Sequence, residues 1–395
     1  MASGMARNRR GYENVVVTTP FTVPYERYSP HGAHWFLARA LAGLIGAAGI
    51  RKDEIDGLCA SSFTLAPDTA VALTQHFGLS PRWLDHVAVG GACGIVSLRR
   101  AARAVQGGDA SIVACLAGDT NHADSFAQTI ANFSQFTRDA VYPYGAGGPN
   151  ASFAFLTSHY MRAYGARRED FGKLCVAQRA NAQAVPHALF KKPLTLEEYM
   201  QARPIATPLH LFDCVMPCAG AEGFLVMTRQ RAEELGLRYA RILSTIERHN
   251  AYPDDPIQMR GGWAMDCDEL YGLAGVTPAD VDFFETYDDY PVMTCLQIED
   301  LGFCGKGEAP AFVRQHSFTC DGDFPINTSG GQLSLGQAGA AGGFLGLVEA
   351  VRQLTDAPLG NEVADAKIGL VAGFGVINFD RGLATGAALL ARSGI

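Results

Sequence analysis

Residues 89–119 read VGGACGIVSLRRAARAVQGGDASIVACLAGD. The glycine-rich turn at the head, the amphipathic helix after it and the apolar run Ile112–Leu116 spell turn, helix and buried strand. A strand that is apolar at almost every position is covered on both faces, which is the habit of sheets flanked by helices.

The unit recurs. AGIRKDEIDGL (Ala48 to Leu58) and AGVTPADVDFF (Ala274 to Phe284) correspond at a constant offset of 226 residues, and each reads as a short turn, a helix start and the head of a buried strand. A Gly-Gly turn leads toward a helix in both halves, at Gly90-Gly91 before Arg100–Val105 and at Gly330-Gly331 before Val348–Gln353. Asp109-Ala110-Ser111-Ile112 has its counterpart in Asp365-Ala366-Lys367-Ile368. Two copies of an alternating strand and helix pattern argue for a duplicated α/β protein and against a solenoid.

Aligned without gaps back from Gly108-Asp109-Ala110-Ser111, the opening stretch resembles the catalytic turn of the thiolase superfamily. There a nucleophilic cysteine opens the helix and a serine follows two residues later. The cysteine's position falls on Gly91, and Cys93 stands at the serine's. The resemblance extends over nearly the whole chain and is nearest to the sterol-carrier-protein-type branch, on Ala151–Phe155, HYMRAYG at 159–165 and QRANAQAVPHALF at 178–190. It implies an α/β thiolase fold, with duplicated βαβαβ halves in a five-layered αβαβα arrangement. The halves are expected at 1–245 and 246–395, with a loop domain at about 121–213 inserted in the first.

The resemblance also implies that ordinary thiolysis is lost. The family's histidine in its NxxGGxxxxGH stretch falls on Gln337, its second cysteine on Val371, and the Asn or His of its NEAF or HDCF motif on Tyr287. With Gly91 in the nucleophile's place, all four reacting groups are replaced. The N–H of Gly91, at a helix start, and that of Gly373 remain as donors for an oxyanion or enolate.

This pattern resembles the thiolase-fold aldolases that cleave β-hydroxyacyl-CoA esters, such as steroid side-chain intermediates, by a retro-aldol step. Those enzymes lack the nucleophile and carry tyrosines at the positions of Tyr287 and Gln337, so Gln337 departs from the pattern. Tyr287, Asp289, Gln337 and Cys93 are the candidate catalytic residues. A phenol near pKa 10 is a poor base unless its anion is stabilised. Asp288 and Asp289 are alternative bases or a structural pair; strand alternation puts Asp289 on the face of Tyr287, and Tyr290 is a substitute phenol. Two alternatives stand beside the lyase: an acyltransferase or Claisen enzyme using Cys93, and a catalytically silent subunit.

Composition sets the surroundings. The 395 residues are 48% apolar and 18% charged, with net charge −8 and no basic stripe, which argues against nucleic acid or an anionic membrane as partner. No apolar run reaches membrane-spanning length, no secretory leader is recognisable, and the ten cysteines carry no CxxC pair. The expectation is a cytoplasmic protein with reduced cysteines, no metal site and no tightly bound cofactor, coenzyme A entering as part of the substrate. By resemblance it forms a homodimer and recruits a small OB-fold/zinc-ribbon partner, any zinc then belonging to that partner. Arg162, Arg167, Arg168, Lys191 and Lys192 are either contacts for the CoA phosphates, as in relatives, or solvated surface.

Overall fold

The structure, a computed structural model, describes residues 11–122, 125, 138–146, 148–378 and 381–394. Strands β1 (Val15–Glu26), β2 (Gly57–Ser61), β3 (Trp83–His86), β4 (Ile112–Thr120) and β7 (Ala219–Thr228) belong to the first half. Strands β8 (Tyr239–His249), β9 (Phe283–Glu285), β10 (Ile368–Ile377) and β11 (Gly382–Arg392) belong to the second. They join one sheet in the order β3-β2-β4-β7-β1-β8-β11-β10-β9.

Outward from the β1–β8 junction the sheet reads the same in both directions. In each half the first strand pairs antiparallel with the last, the last antiparallel with the strand before it in the sheet-forming order, and that strand parallel with the second. The second half's equivalent of β3 shrinks to a single parallel bridge between Phe284 and Ile326.

The repeated segments do the same work in each half. Gly49 and Gly275 end helices α1 (Ala33–Ala48) and α6 (Trp263–Ala274) in the left-handed region, where glycine carries no Cβ penalty. Asp56 accepts the N–H groups of Ser111 and Ile112 at 2.7 and 3.0 Å, and Asp282 accepts those of Lys367 and Ile368 at 2.7 and 2.8 Å. Each aspartate therefore pins the head of the neighbouring parallel strand.

Helices α3 (Cys93–Gly107) and α9 (Gly342–Leu354) pack against strands of both halves and form the middle layer. On the outer faces α1 covers the first half and α6 the second, which completes the αβαβα stack. The turn that enters α9 is Gly339–Ala341, not Gly330-Gly331, which instead opens the short helix α8 (Gly331–Leu335). That pairing in the sequence was a coincidence of dipeptides. Strand β8 also runs across the boundary drawn at 245/246, so by topology the second half begins at Tyr239.

Between β4 and β7, within the span expected for the loop domain, lie α4 (Gly148–Tyr164), α5 (Arg168–Ala182) and the ribbon β5 (Pro204–Ala206) with β6 (Leu209–His210). Residues 123–124, 126–137 and 147 of that span lie outside the described residues. Helix α2 (Ala70–Phe77) lies between β2 and β3 in the chain, and α7 (Pro291–Asp300) follows β9. Among the described residues no helix is long and apolar enough to cross a membrane.

The two central helices meet through glycine. A methyl on Gly94 would land on the carbonyl oxygen of Gly343, and one on Gly343 would stand 2.7 Å from the Cys93 sulfur. Backbone cannot yield as a side chain does, so Gly94→Ala forces α3 and α9 apart. The expected cost is about 3 kcal/mol or more, read as a lower urea midpoint at unchanged m-value. A midpoint within experimental scatter of wild type would show that the helices are not in this contact.

Candidate active site

A cavity of about 670 Å³ opens where the start of α3, the end of β10 and the segment after β9 meet the inserted region. Its wall is mainly apolar, with Phe63, Phe155, Phe190, Phe212, Met216 and Phe374 among its residues. Gly91, Tyr287, Asp289, Tyr290 and Gln337 line it as well. The duplicated topology brings them together, because α3 enters from the first half and residues 287–290 leave β9 in the second.

Gly91 and Tyr287 are fitted to each other. A Cβ on Gly91 would lie inside the Tyr287 ring and against the carbonyl of Phe374, so the ring occupies the space a side chain at position 91 would need. The main chain of Tyr287 is clamped by Gln297 on α7: its N–H donates to Oε1 at 2.9 Å and its carbonyl accepts from Nε2 at 2.8 Å. Just upstream, Thr286 exchanges hydrogen bonds with the Asn327 side chain at 2.7 and 3.0 Å.

The adjacent acids have opposite fates. Asp288 accepts the N–H groups of Gln332 and Leu333 at 2.9 and 3.2 Å and so caps α8; burial still pushes its carboxyl up to about 6. Asp289 lines the cavity with Oδ1 buried and unpartnered. Burial, then the charge of Asp288, holds it well above the usual carboxylate range. Tyr287 and Asp289 line the same cavity, although the strand expected to alternate them ends at Glu285 and the chain bends at Asp289.

Burial, followed by the charges of Asp289 and Cys93, raises the Tyr287 phenol well above its ordinary value, while hydrogen bonding with the Gln337 side chain pulls the other way. At neutral pH Tyr287 is therefore a neutral O–H donor. The Tyr290 hydroxyl donates to Asn150 Oδ1 at 2.5 Å, and its ring stacks on Phe153 with centroids 4.1 Å apart. That phenol is committed to fixing α4 over the cavity.

Residues 256–384 match the family model described as thiolase C-terminal domain-like. The 17-hydroxy-3-oxo-4-pregnene-20-carboxyl-CoA lyase of Mycobacterium tuberculosis is 33% identical, over 86% of this chain and 91% of that protein. The steroid side-chain-cleaving aldolase of Thermomonospora curvata is 30% identical, over 85% and 89%. A solved Ltp2-ChsH2(DUF35) aldolase superposes with a TM-score of 0.82 at 26% identity, covering 96% of this chain and 98% of the other.

The chain belongs to the thiolase superfamily, in its branch of aldolase-type lyases. The resemblance carried by its motifs is borne out, and it is an enzyme rather than a silent subunit.

Cys93 stands apart from the cavity. Its buried thiol donates to the Ala340 carbonyl at 3.3 Å, and burial pushes it up to about 12. Cys214 is the cysteine on the wall, and burial pushes it up to about 12 as well. Gly373 lies behind the wall, where a methyl would meet the carbonyl of Gly91 at 2.9 Å. The glycine of β10 that lines the cavity is Gly375. A Cβ there would cover the Gly91 nitrogen, so glycine at 375 leaves that N–H open.

Asp119 accepts from Ser62, Phe63, Thr64 and Ala340 at 2.6 to 3.0 Å and ties β4 to the start of α9, while His122 sits 5.5 Å from the Tyr28 ring, off the wall. None of Arg162, Arg167, Arg168, Lys191 and Lys192 lines the cavity; its guanidinium groups are Arg179 and Arg203. Among the described residues no three His, Cys, Asp or Glu side chains gather as a metal-binding group. Sequence reasoning missed Gln297, Asn150 and Arg179, since a buried amide or guanidinium on a helix looks like any other polar residue.

The Gly91–Tyr287 fit is open to a double-mutant cycle. Gly91→Ala should destabilise by about 2–3 kcal/mol. Adding Tyr287→Ala should recover part of the loss, with the Phe374 carbonyl keeping recovery incomplete. Urea unfolding of the four proteins measures the coupling, expected above about 0.5 kcal/mol; simple additivity would mean that ring and glycine do not meet.

Proposed function

We propose that the protein cleaves the Cα–Cβ bond of a β-hydroxyacyl-CoA ester with a bulky apolar acyl group, of steroid or comparable size, by a retro-aldol reaction. The fit of Tyr287 into the space opposite Gly91 carries the reading: with no room for a side chain at position 91, catalysis rests on proton transfer and enolate stabilisation. The volume and apolar wall of the cavity support a large hydrophobic acyl group.

Asp289 takes the β-hydroxyl proton, since its raised proton affinity suits a base near neutral pH better than that of an ordinary carboxylate. The O–H electrons become the new carbonyl, and the Cα–Cβ pair passes into the thioester as an enolate, held by the open N–H of Gly91 at the start of α3. Tyr287 and Gln337 donate hydrogen bonds to the reacting oxygens. The proton on Asp289 then returns to Cα, giving a ketone or aldehyde and a shortened acyl-CoA with no net redox change.

Coenzyme A is part of the substrate in this reading, and no tightly bound cofactor is required. The ten free thiols support a reducing, cytoplasmic setting. The two-component name of the Ltp2-ChsH2(DUF35) aldolase supports a small partner protein, which we assign as an OB-fold/zinc-ribbon chain docking on a homodimer of this one.

The test uses the chain co-purified with any small partner, β-hydroxyacyl-CoA esters, and mass spectrometry of products and intact protein. Tyr287→Phe and Asp289→Asn should each lower kcat by about 10²-fold or more, while Cys93→Ser keeps it. Because Asp289 must be ionised to act, kcat/KM should fall as pH drops through its titration, with a midpoint above the ordinary carboxylate range. An acyl adduct on Cys93 or Cys214, or full activity in Tyr287→Phe, overturns the mechanism.

A further inference from the structure

Among the described residues, three carboxylate or guanidinium side chains line the cavity: Asp289, Arg203 and Arg179. Arg203 is exposed and sits at the solvent side of the wall. Arg179, on the last turn of α5, is only 5% exposed. Its Nε donates to Ser334 Oγ at 3.2 Å and its Nη1 to the Lys192 carbonyl at 3.3 Å. Phe190 and Phe212 lie with their ring centroids 4.7 and 5.7 Å from its central carbon. Among the described residues no carboxylate comes within 4.0 Å of it and Nη2 has no hydrogen-bond partner.

Two neutral acceptors leave most of the five guanidinium donors unused. The charge of Glu198 acts on Arg179 only at longer range, and a buried cation without a paired carboxylate is costly, so folded chains normally pair it. The aromatic rings keep the planar fork in place, and the side chain lines the cavity. Asp289 does not complete the pair, because its Oδ1 is itself without a partner.

The geometry points to Arg179 as the anchor of an anion subsite in the cavity wall, one that takes a carboxylate or phosphate oxyanion of the ligand in forked hydrogen bonds. In the CoA-ester reading, on which this identification of the ligand rests, that oxyanion is either a phosphate of coenzyme A or a carboxylate on the acyl group. Arg179 is then a specificity-determining residue, distinct from the groups that move protons.

Calorimetric titration of wild type, Arg179→Met and Arg179→Lys decides the matter, with circular dichroism and thermal melts confirming that each is folded. The ligands are CoA, 3′-dephospho-CoA, pantetheine, and thioether acyl-CoA analogues with and without a terminal carboxylate. Arg179→Met should weaken the anion-bearing ligand at least tenfold and leave pantetheine unchanged, with Arg179→Lys in between. A loss on CoA but not on pantetheine assigns a phosphate; a loss confined to the carboxylated analogue assigns the carboxylate. Equal affinities in all three proteins, or an equal loss on every ligand including pantetheine, overturns the subsite in favour of a packing role. If wild type binds no CoA compound, the CoA-ester reading fails; titrating inorganic pyrophosphate and succinate then tests the subsite alone, and it stands only if Arg179→Met abolishes their binding.

Discussion

The ring of Tyr287 standing where a side chain at position 91 would project is the contact around which the site is organised. It joins the two halves at the point where chemistry is expected, since Gly91 heads a central helix of the first and Tyr287 leaves a strand of the second. Each neighbour is shaped by it. Gln297 holds the tyrosine's main chain at both its polar groups, so the ring cannot withdraw without stranding a buried N–H and carbonyl. Gly375 lets β10 lie against the turn without covering the Gly91 nitrogen. Restoring a bulkier residue at 91 is therefore a change to several elements rather than to one.

Much of the fold was legible because duplication writes its anchors at fixed spacing. Asp56 and Asp282 stand 226 residues apart and each binds two N–H groups at a strand head, a role that fixes both residue type and position. Loops carry no such constraint, and the Gly-Gly match failed there: Gly330-Gly331 serves a short helix over the cavity, while a separate turn at 339–341 feeds α9. Motif position pointed to Gly91 and Tyr287 and alternation to Asp289, and all three line the one cavity. Arg179 was invisible, since its meaning depends on which side chains surround it and which are missing.

Asp288 and Asp289 show how little composition decides. They are neighbours, both buried, in a segment that has left the sheet at Glu285 and bends at Asp289. One side chain turns toward the first turn of α8 and is satisfied by two N–H groups. The other turns into the cavity and keeps an oxygen without a partner. Capping by Asp288 orders the loop that brings Gln337 to Tyr287, so the structural acid supports the geometry in which the other can react.

The same dryness separates this site from thiol chemistry. Covalent acyl transfer needs a thiolate, and burial raises thiol proton affinity; Cys214 on the wall and Cys93 away from it are both pushed to about 12. For a carboxyl group the same desolvation raises proton affinity and holds Asp289 well above the usual carboxylate range, which is what the proposed base requires. An apolar cavity able to hold a large acyl group thus weakens sulfur as a nucleophile and strengthens oxygen as a base. In the proposed reaction, a glycine at position 91 and a buried acid two residues beyond Tyr287 suit one and the same environment.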